Sequence, residues 1–153
     1  RGWQCALTVP RELSMRDGKL CQQPAHEIER MRGDCVRAVG GETVEEPGRL
    51  FDVVVSCEGA KMIELEIRKG VFVRYADGML TLDMGDEGYG RDQRSIELSE
   101  LRDLRVLSDT TMVEIFANGG EAALTSRTYS SAVPAMALHA EGAASMDFYR
   151  LAH

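Results

Sequence analysis

Histidine is scarce in this 153-residue chain: His26, His139 and His153 are the whole supply. The four cysteines, Cys5, Cys21, Cys35 and Cys57, stand far apart, with no Cys-x-x-Cys pair. Protein zinc sites draw on such ligands in close pairs, so no metal site and no cofactor is expected. A Cys5–Cys21 disulfide stays open if their segments pair, but reduced, partly buried thiols in a cytoplasmic protein are the expectation. No apolar run approaches the roughly 20 residues of a membrane helix, so no membrane partner is expected. The opening Arg1-Gly2-Trp3-Gln4-Cys5 has neither a Met nor the apolar stretch of a secretory leader, so the chain is expected to be cut from something longer. Basic residues are outnumbered, 18 Lys and Arg against 25 Asp and Glu. The resulting charge of −7 argues against nucleic acid, which requires a basic face.

Helical periodicity is also missing beyond residue 49. What fills the chain instead is alternation. Val113 and Ile115 alternate with Met112, Glu114 and Phe116, the period-2 pattern of a strand. Asn118-Gly119 supplies residues that accept φ > 0 in a hairpin turn. If those two residues are the whole loop, Val113 faces Leu124 and Ile115 faces Ala122; a bulge at Gly120 is the alternative. Leu50–Cys57 sets Phe51, Val53, Val55 and Cys57 on one face. Met62–Arg68 sets Ile63, Leu65 and Ile67 inward, with Glu64, Glu66 and Arg68 outward. Val71–Tyr75 and Met79–Met84 flank the turn signal Asp77-Gly78. Residues 85–94 read as a polar loop; no helix follows it, so it is not a nucleotide cradle. Arg94–Leu98, Leu104–Leu107, Met136–Ala140 and Ser145–Leu151 complete the strands, the last two joined at Glu141-Gly142. With 44% hydrophobic residues and no helix to cover a sheet, two antiparallel sheets packed face to face are the economical arrangement.

Ahead of this sandwich, Ala6–Val9 and Pro10–Leu13 read as short strands, Asp17-Gly18 as a turn, and Lys19–Gln23 as extended chain ended by Pro24. Residues 25–32 read as a short helix between Pro24 and Gly33. Residues 33–49 read as an irregular connector, with room for a strand near Cys35–Val39. The first 20 residues are too short to bury their own apolar side and must lean on another domain or chain.

Two stretches carry a resemblance. The first matches at Leu7, Pro10, Arg11, Glu12, Leu13, Ser14, Asp17, Gly18, Leu20, Gln22 and Pro24. The second matches at Leu104, Arg105, Asp109, Glu114, Phe116, Asn118, Gly120, Glu121, Leu124, Thr125, Ser126 and Arg127, with Thr110 and Thr111 where serines are usual. Both resemble glycoside hydrolase family 32, the β-fructofuranosidases: invertases, sucrose-6-phosphate hydrolases and fructanases. The resemblance implies an all-β fold, a two-layer antiparallel β-sandwich of jelly-roll or concanavalin-like kind, preceded by a short strand pair and one linker helix. It implies that residues 1–23 are the end of a catalytic β-propeller, 24–33 a linker helix and 34–153 the C-terminal sandwich. It further implies a parent that hydrolyses terminal β-fructofuranosyl bonds in sucrose, sucrose 6-phosphate or fructans. The partners implied are the missing N-terminal propeller, fructosides bound by the parent, and a homo-oligomer. Relatives often carry Asp-Arg-Ser where this chain has Asp83-Met84-Gly85, so an ion pair made by that Arg is not expected here.

Candidate chemistry is thin. Asp109 and Glu114 suggest a glycosidase pair, but a retaining enzyme holds its carboxyl groups about 5–5.5 Å apart. The structural alternative has Asp109 bonding a bend and Glu114 pairing with a cation such as Arg127. The family's catalytic motifs, of Trp-Met-Asn-Asp-Pro-Asn, Arg-Asp-Pro and Glu-Cys type, do not occur here. Arg91-Asp92 and Arg102-Asp103 are not followed by Pro, and Cys57-Glu58 has the reverse order. No catalytic residue is therefore assigned, and the chain alone is expected to be inactive. Ser108 and Ser126 have no histidine at triad-like spacing. His139 and His26 read as surface residues. Trp3, Tyr75, Tyr89 and Tyr129 could stack on sugars, with Tyr89 the best-placed substrate-binding candidate on its loop. The rival to a packing role is a carbohydrate-binding, lectin-like module, favoured by an open concave face with two or more exposed aromatics and disfavoured by a face covered by residues 1–32.

Overall fold

The computed structural model describes residues 6–152. Ala6–Pro10 has no regular secondary structure, so the strand expected over Ala6–Val9 is not formed, and the first hairpin begins at Arg11, with β1 (Arg11–Arg16) and β2 (Lys19–Pro24). Pro10 has no amide hydrogen to give a ladder, and the Val9 amide is used elsewhere, as described below. Asp17 and Gly18 close the hairpin at φ 50° and 77°, the left-handed pair of a tight primed turn. A 3-10 helix, His26–Met31, follows where a short helix is expected. Six residues are too few to overcome helix nucleation, and the tighter 3-10 turn is the usual form of so short a piece.

Twelve further strands follow: β3 (Arg32–Val39), β4 (Thr43–Glu45), β5 (Phe51–Ser56), β6 (Met62–Arg68), β7 (Val71–Ala76), β8 (Met79–Asp83), β9 (Gln93–Glu97), β10 (Asp103–Ser108), β11 (Met112–Ala117), β12 (Ala122–Arg127), β13 (Ala135–Glu141) and β14 (Ser145–Leu151). They make two six-stranded antiparallel sheets, β12-β11-β10-β5-β14-β3 and β4-β13-β6-β7-β8-β9. The all-β sandwich expected from the alternation is the observed fold. The connector at 33–49 is more ordered than its charges and glycines suggest, since β3 and β4 each take an edge. In the polar loop a short 3-10 turn, Gly85–Gly88, precedes β9.

Phe51, Val53 and Val55 from one sheet meet Ile63, Leu65, Ile67, Val71 and Val73 from the other, all fully buried. Each such side chain contributes about 1.5–3 kcal/mol on leaving water. The chain crosses between sheets after β13. There Gly142, at φ 123°, lies so close to Ala60 that an added Cβ would sit 2.9 Å from its Cα.

Two expectations are corrected. The β11–β12 loop has four residues rather than two, so Ile115 faces Leu124, Val113 faces Ser126 and Ala117 faces Ala122. The shift is two residues, which leaves every side chain on its expected face. Arg68 is not outward but fully buried. The β6–β7 ladder slips between Glu66 and Arg68, and a bulge of this kind re-aims the side chain that follows it.

Candidate functional site

The outer face of the first sheet is where residues 9–32 lie. Glu114, on β11, points outward there yet is almost fully buried. Its Oε1 accepts the Val9 amide at 2.8 Å, and its Oε2 accepts Arg11 Nη2 at 2.6 Å. Arg11 also donates to Thr125 Oγ1 at 2.8 Å and Gln22 Oε1 at 2.9 Å, and lies 5.1 Å above the Phe116 ring. Glu114 thus pairs with a cation, as expected, but the cation is Arg11 and not Arg127. Both carboxylate oxygens are engaged in joining the leading segment to the sheet, which is a structural use of the group.

A second junction lies two strands over. Asp52, on β5, is fully buried on the outward side. Arg32 Nε and Arg105 Nη2 both reach its Oδ2 at 2.7 Å, and Arg105 Nε reaches Oδ1 at 3.0 Å. Glu29 of the 3-10 helix stands 3.4 Å from Arg105 and 3.7 Å from Arg32. Arg32 also covers the Tyr149 ring at 4.4 Å. A buried carboxylate needs such full pairing to be tolerated. Alternation alone marks Asp52 as an outward, solvated residue; the chain that covers it comes from 20 residues earlier.

The leading hairpin is held down but not covered. Leu13, Met15 and Leu20 share one of its faces by register and are 64%, 68% and 53% exposed. Leu7 is exposed as well. At the foot of the 3-10 helix, Glu12 Oε1 meets His26 Nδ1 at 2.6 Å, and Glu27 stands 3.4 Å from Nε2. The Glu12 bond, then Glu27, raise the His26 pKa above its usual value. This solvent-exposed trio is explained by its ion pairs.

A separate cleft lies between the edge strands β9 and β12. It encloses about 490 Å³ between the 85–91 loop and the end of β12. Tyr89 and Tyr129 stand at its rim edge to face, ring centres 6.5 Å apart, 77% and 54% exposed. Arg91, Arg94 and Arg127 line it, with Thr125, Ser126 and the single carboxylate of Glu87. Arg127 lies 5.2 Å over the Tyr129 ring. Among the described residues, Arg94 Nε is buried without a hydrogen-bond partner. Tyr89 itself adopts left-handed backbone angles, φ 50° and ψ 48°, which cost roughly 1–2 kcal/mol outside glycine.

Of the remaining sequence candidates, Asp109 bonds its own bend through the Thr110 amide. Tyr75 is buried, donating its hydroxyl to the Leu98 carbonyl at 3.1 Å, and cannot stack on a ligand. Ser108 Oγ accepts from Arg68 at 2.8 and 3.0 Å. Ser126 is buried on β12. His139 is exposed on β13 opposite Glu64, and His26 is exposed, both as read. Trp3 and Cys5 lie outside the described residues; Cys21, Cys35 and Cys57 are free thiols. Asp83 finds a partner despite the missing family arginine: Arg74, one strand away and also bonded to Glu64 at 2.6 Å, pairs with it. Tyr129 is a sugar-stacking candidate in the sequence, but its pairing with Tyr89 and the presence of Arg94 beside them escape sequence reading, because residues of two different edge strands are brought together only by the fold.

Comparison with known proteins places this geometry. Residues 69–151 match the family described as "Glycosyl hydrolases family 32 C terminal". The raffinose invertase of Escherichia coli is 36% identical over 85% of this chain, and the sucrose-6-phosphate hydrolase of Salmonella typhimurium is 30% identical over 84%. The chain spans only 30% and 27% of the length of these relatives. Among solved structures, the sucrose-6-phosphate hydrolase of Lactobacillus gasseri superposes with a TM-score of 0.79 at 19% identity, covering 93% of this chain and 33% of that one. The exo-inulinase of Aspergillus awamori superposes with a TM-score of 0.76 at 19% identity, covering 98% of this chain and 36% of that one. The sandwich and the strand pair laid on it share that architecture, and the chain belongs to glycoside hydrolase family 32, whose C-terminal domain it carries.

Proposed function

We propose that this chain serves as the C-terminal module of a β-fructofuranosidase-type glycosidase, packing against and stabilising an N-terminal catalytic propeller. In this reading residues 1–23 are the last propeller strands, 24–33 the linker and 34–153 the sandwich. The parent hydrolyses terminal β-fructofuranosyl bonds in sucrose, its 6-phosphate or a fructan, and this module contributes no catalytic group. The relatives named as raffinose invertase and sucrose-6-phosphate hydrolase support that substrate class. Free thiols at Cys21, Cys35 and Cys57 suit a cytoplasmic setting, and the parent can associate further into a homo-oligomer.

The observation that carries the packing role is the apolar strip of Leu13, Met15 and Leu20, outward on a hairpin whose other contacts fix it to the sandwich. Exposed apolar side chains on a rigid mount mark a surface meant to be covered. The test is a chimera in which these residues replace the matching part of the E. coli raffinose invertase. The chimera is expected to cleave sucrose, and the isolated chain is not. Changing Leu13, Met15 and Leu20 together to Asp is expected to lower the chimera's melting temperature by several degrees, as a loss of about 2–3 kcal/mol of apolar burial would. The isolated chain should melt unchanged. Equal melting of both chimeras would sink the docking role.

The exposed Tyr89–Tyr129 pair favours a second role, contact with sugar. It adds to the packing role and does not replace it, because the broad face a lectin would use is already occupied by residues 9–32.

A further inference from the structure

We propose that the cleft between β9 and β12 is a non-catalytic binding site for a saccharide carrying a phosphate group. Four observations converge on it. The cleft is large enough, at about 490 Å³, for a single sugar. Two tyrosine rings stand at its mouth, exposed and mutually braced at 6.5 Å. Such rings offer apolar faces to the C–H side of a pyranose or furanose while their hydroxyls stay wet. Three arginines line the cleft against one carboxylate, in a chain whose net charge is −7. Guanidinium groups match the paired oxygens of a phosphate in fork geometry.

The fourth observation is Arg94. Its Nε is buried with no hydrogen-bond partner among the described residues, a donor that a phosphate oxygen would satisfy. The strained backbone of Tyr89 fits the same picture. Left-handed non-glycine residues cluster where a side chain must be aimed, and here the conformation sets the Tyr89 ring against Tyr129. Arg91, on the exposed loop, is free to close on the anion. The sugar ring would lie on the tyrosines and the phosphate would point inward to Arg94.

The inference deepens the sugar-contact role and is independent of the docking role, since its test uses the isolated chain while the docking test uses the chimera. The test is an NMR titration of the ¹⁵N-labelled chain with glucose 6-phosphate, with glucose and with inorganic phosphate. Glucose 6-phosphate is expected to bind about tenfold more tightly than either half alone. The shifted amides should centre on residues 87–94 and 125–129. Tyr89→Ala and Arg91→Gln, both at exposed positions, are each expected to weaken binding about fivefold while leaving the melting temperature unchanged. Equal affinity for glucose 6-phosphate and inorganic phosphate would reduce the site to an anion patch and overturn the proposal. So would shifts centred elsewhere, or folded variants that bind like the parent.

Discussion

Arg68 is the side chain on which three loops and strand ends converge. Its Nη1 donates to the Ser130 carbonyl at 3.2 Å and its Nε to Ser108 Oγ at 3.0 Å, while the two hydrogens of Nη2 are shared among the Arg49 carbonyl, Ser108 Oγ and the Asp109 carbonyl. Burial, with a smaller push from Arg49, pulls its pKa down to about 10, so it remains charged at neutral pH. Among the described residues no carboxylate side chain is bonded to it; the cation is held by carbonyl and hydroxyl oxygens. Arg68→Met would leave three carbonyls without a donor, and each such loss costs about 1–3 kcal/mol, offset in part by removing the buried charge. A destabilisation of about 3 kcal/mol is expected in urea unfolding, with Arg68→Lys only partly restoring it because one ammonium cannot reach all the acceptors. A change below about 1 kcal/mol would show that the oxygens find water instead. This residue was invisible to pattern reading for a physical reason. Period-2 alternation marks it as outward, and the bulge that turns it inward leaves no local trace in Glu66-Ile67-Arg68.

At the scale of elements, what a sequence can show is what is decided locally. The strands β5 to β8 and β10 to β14 follow from alternation, and the turns at Asp17-Gly18 and Asp77-Gly78 follow from residues that accept positive φ. The β11–β12 turn is different, because a distant segment decides it. The Gln22 amide donates to the Gly120 carbonyl at 2.9 Å, and a Cβ on Gly120 would lie 2.1 Å from the Gln22 oxygen. The loop is widened to four residues so that its tip can meet β2. Gly120 is also at φ 89°. Gly120→Ala is therefore expected to cost about 1–3 kcal/mol, from strain and from displacing the leading hairpin. Hydrogen exchange at Gln22 should rise with it. Gly119→Asn is the control: its φ of 62° suits Asn, and the nearest atoms are the flexible ends of Arg16 and Gln23. If Gly119→Asn disturbed Gln22 more than Gly120→Ala did, the backbone contact would not be what sets the turn.

For the molecule as a whole, the three free thiols among the described residues report how far it has opened. Cys35 is exposed on the edge strand β3, while Cys21 and Cys57 are buried. Burial, with Asp103 nearby, pushes the Cys57 thiol up to about 11, against a usual 9.0. Cys57 is then protonated and shielded in the folded state. Cys35 is expected to react with a maleimide within minutes at pH 7.5, and Cys57 only as the sandwich unfolds. The sign for stability follows from linkage. Between about 9 and about 11 the unfolded chain loses this proton and the folded one keeps it, so this group's contribution to stability falls as pH rises through that window. Peptide mapping that finds Cys57 labelled as fast as Cys35 would contradict the closed core. The two-layer fold was legible because each strand declares its own buried face. The site was legible only as the separate candidates Tyr89 and Tyr129, since Arg11–Glu114, Arg32–Asp52 and Tyr89–Tyr129 each join residues that a local reading cannot place together.

The attachment of the leading segment also fixes how load would pass through the protein. Its amide ties run to Glu114 and Gly120, on β11 and on the loop before β12, at the opposite flank of the sheet from β3. A pull on the chain ahead of Val9 would therefore be felt first at that flank, peeling β12 and then β11, while the β14–β3 side stayed intact until late. The flank that would take the load is also the one that holds the tyrosine cleft.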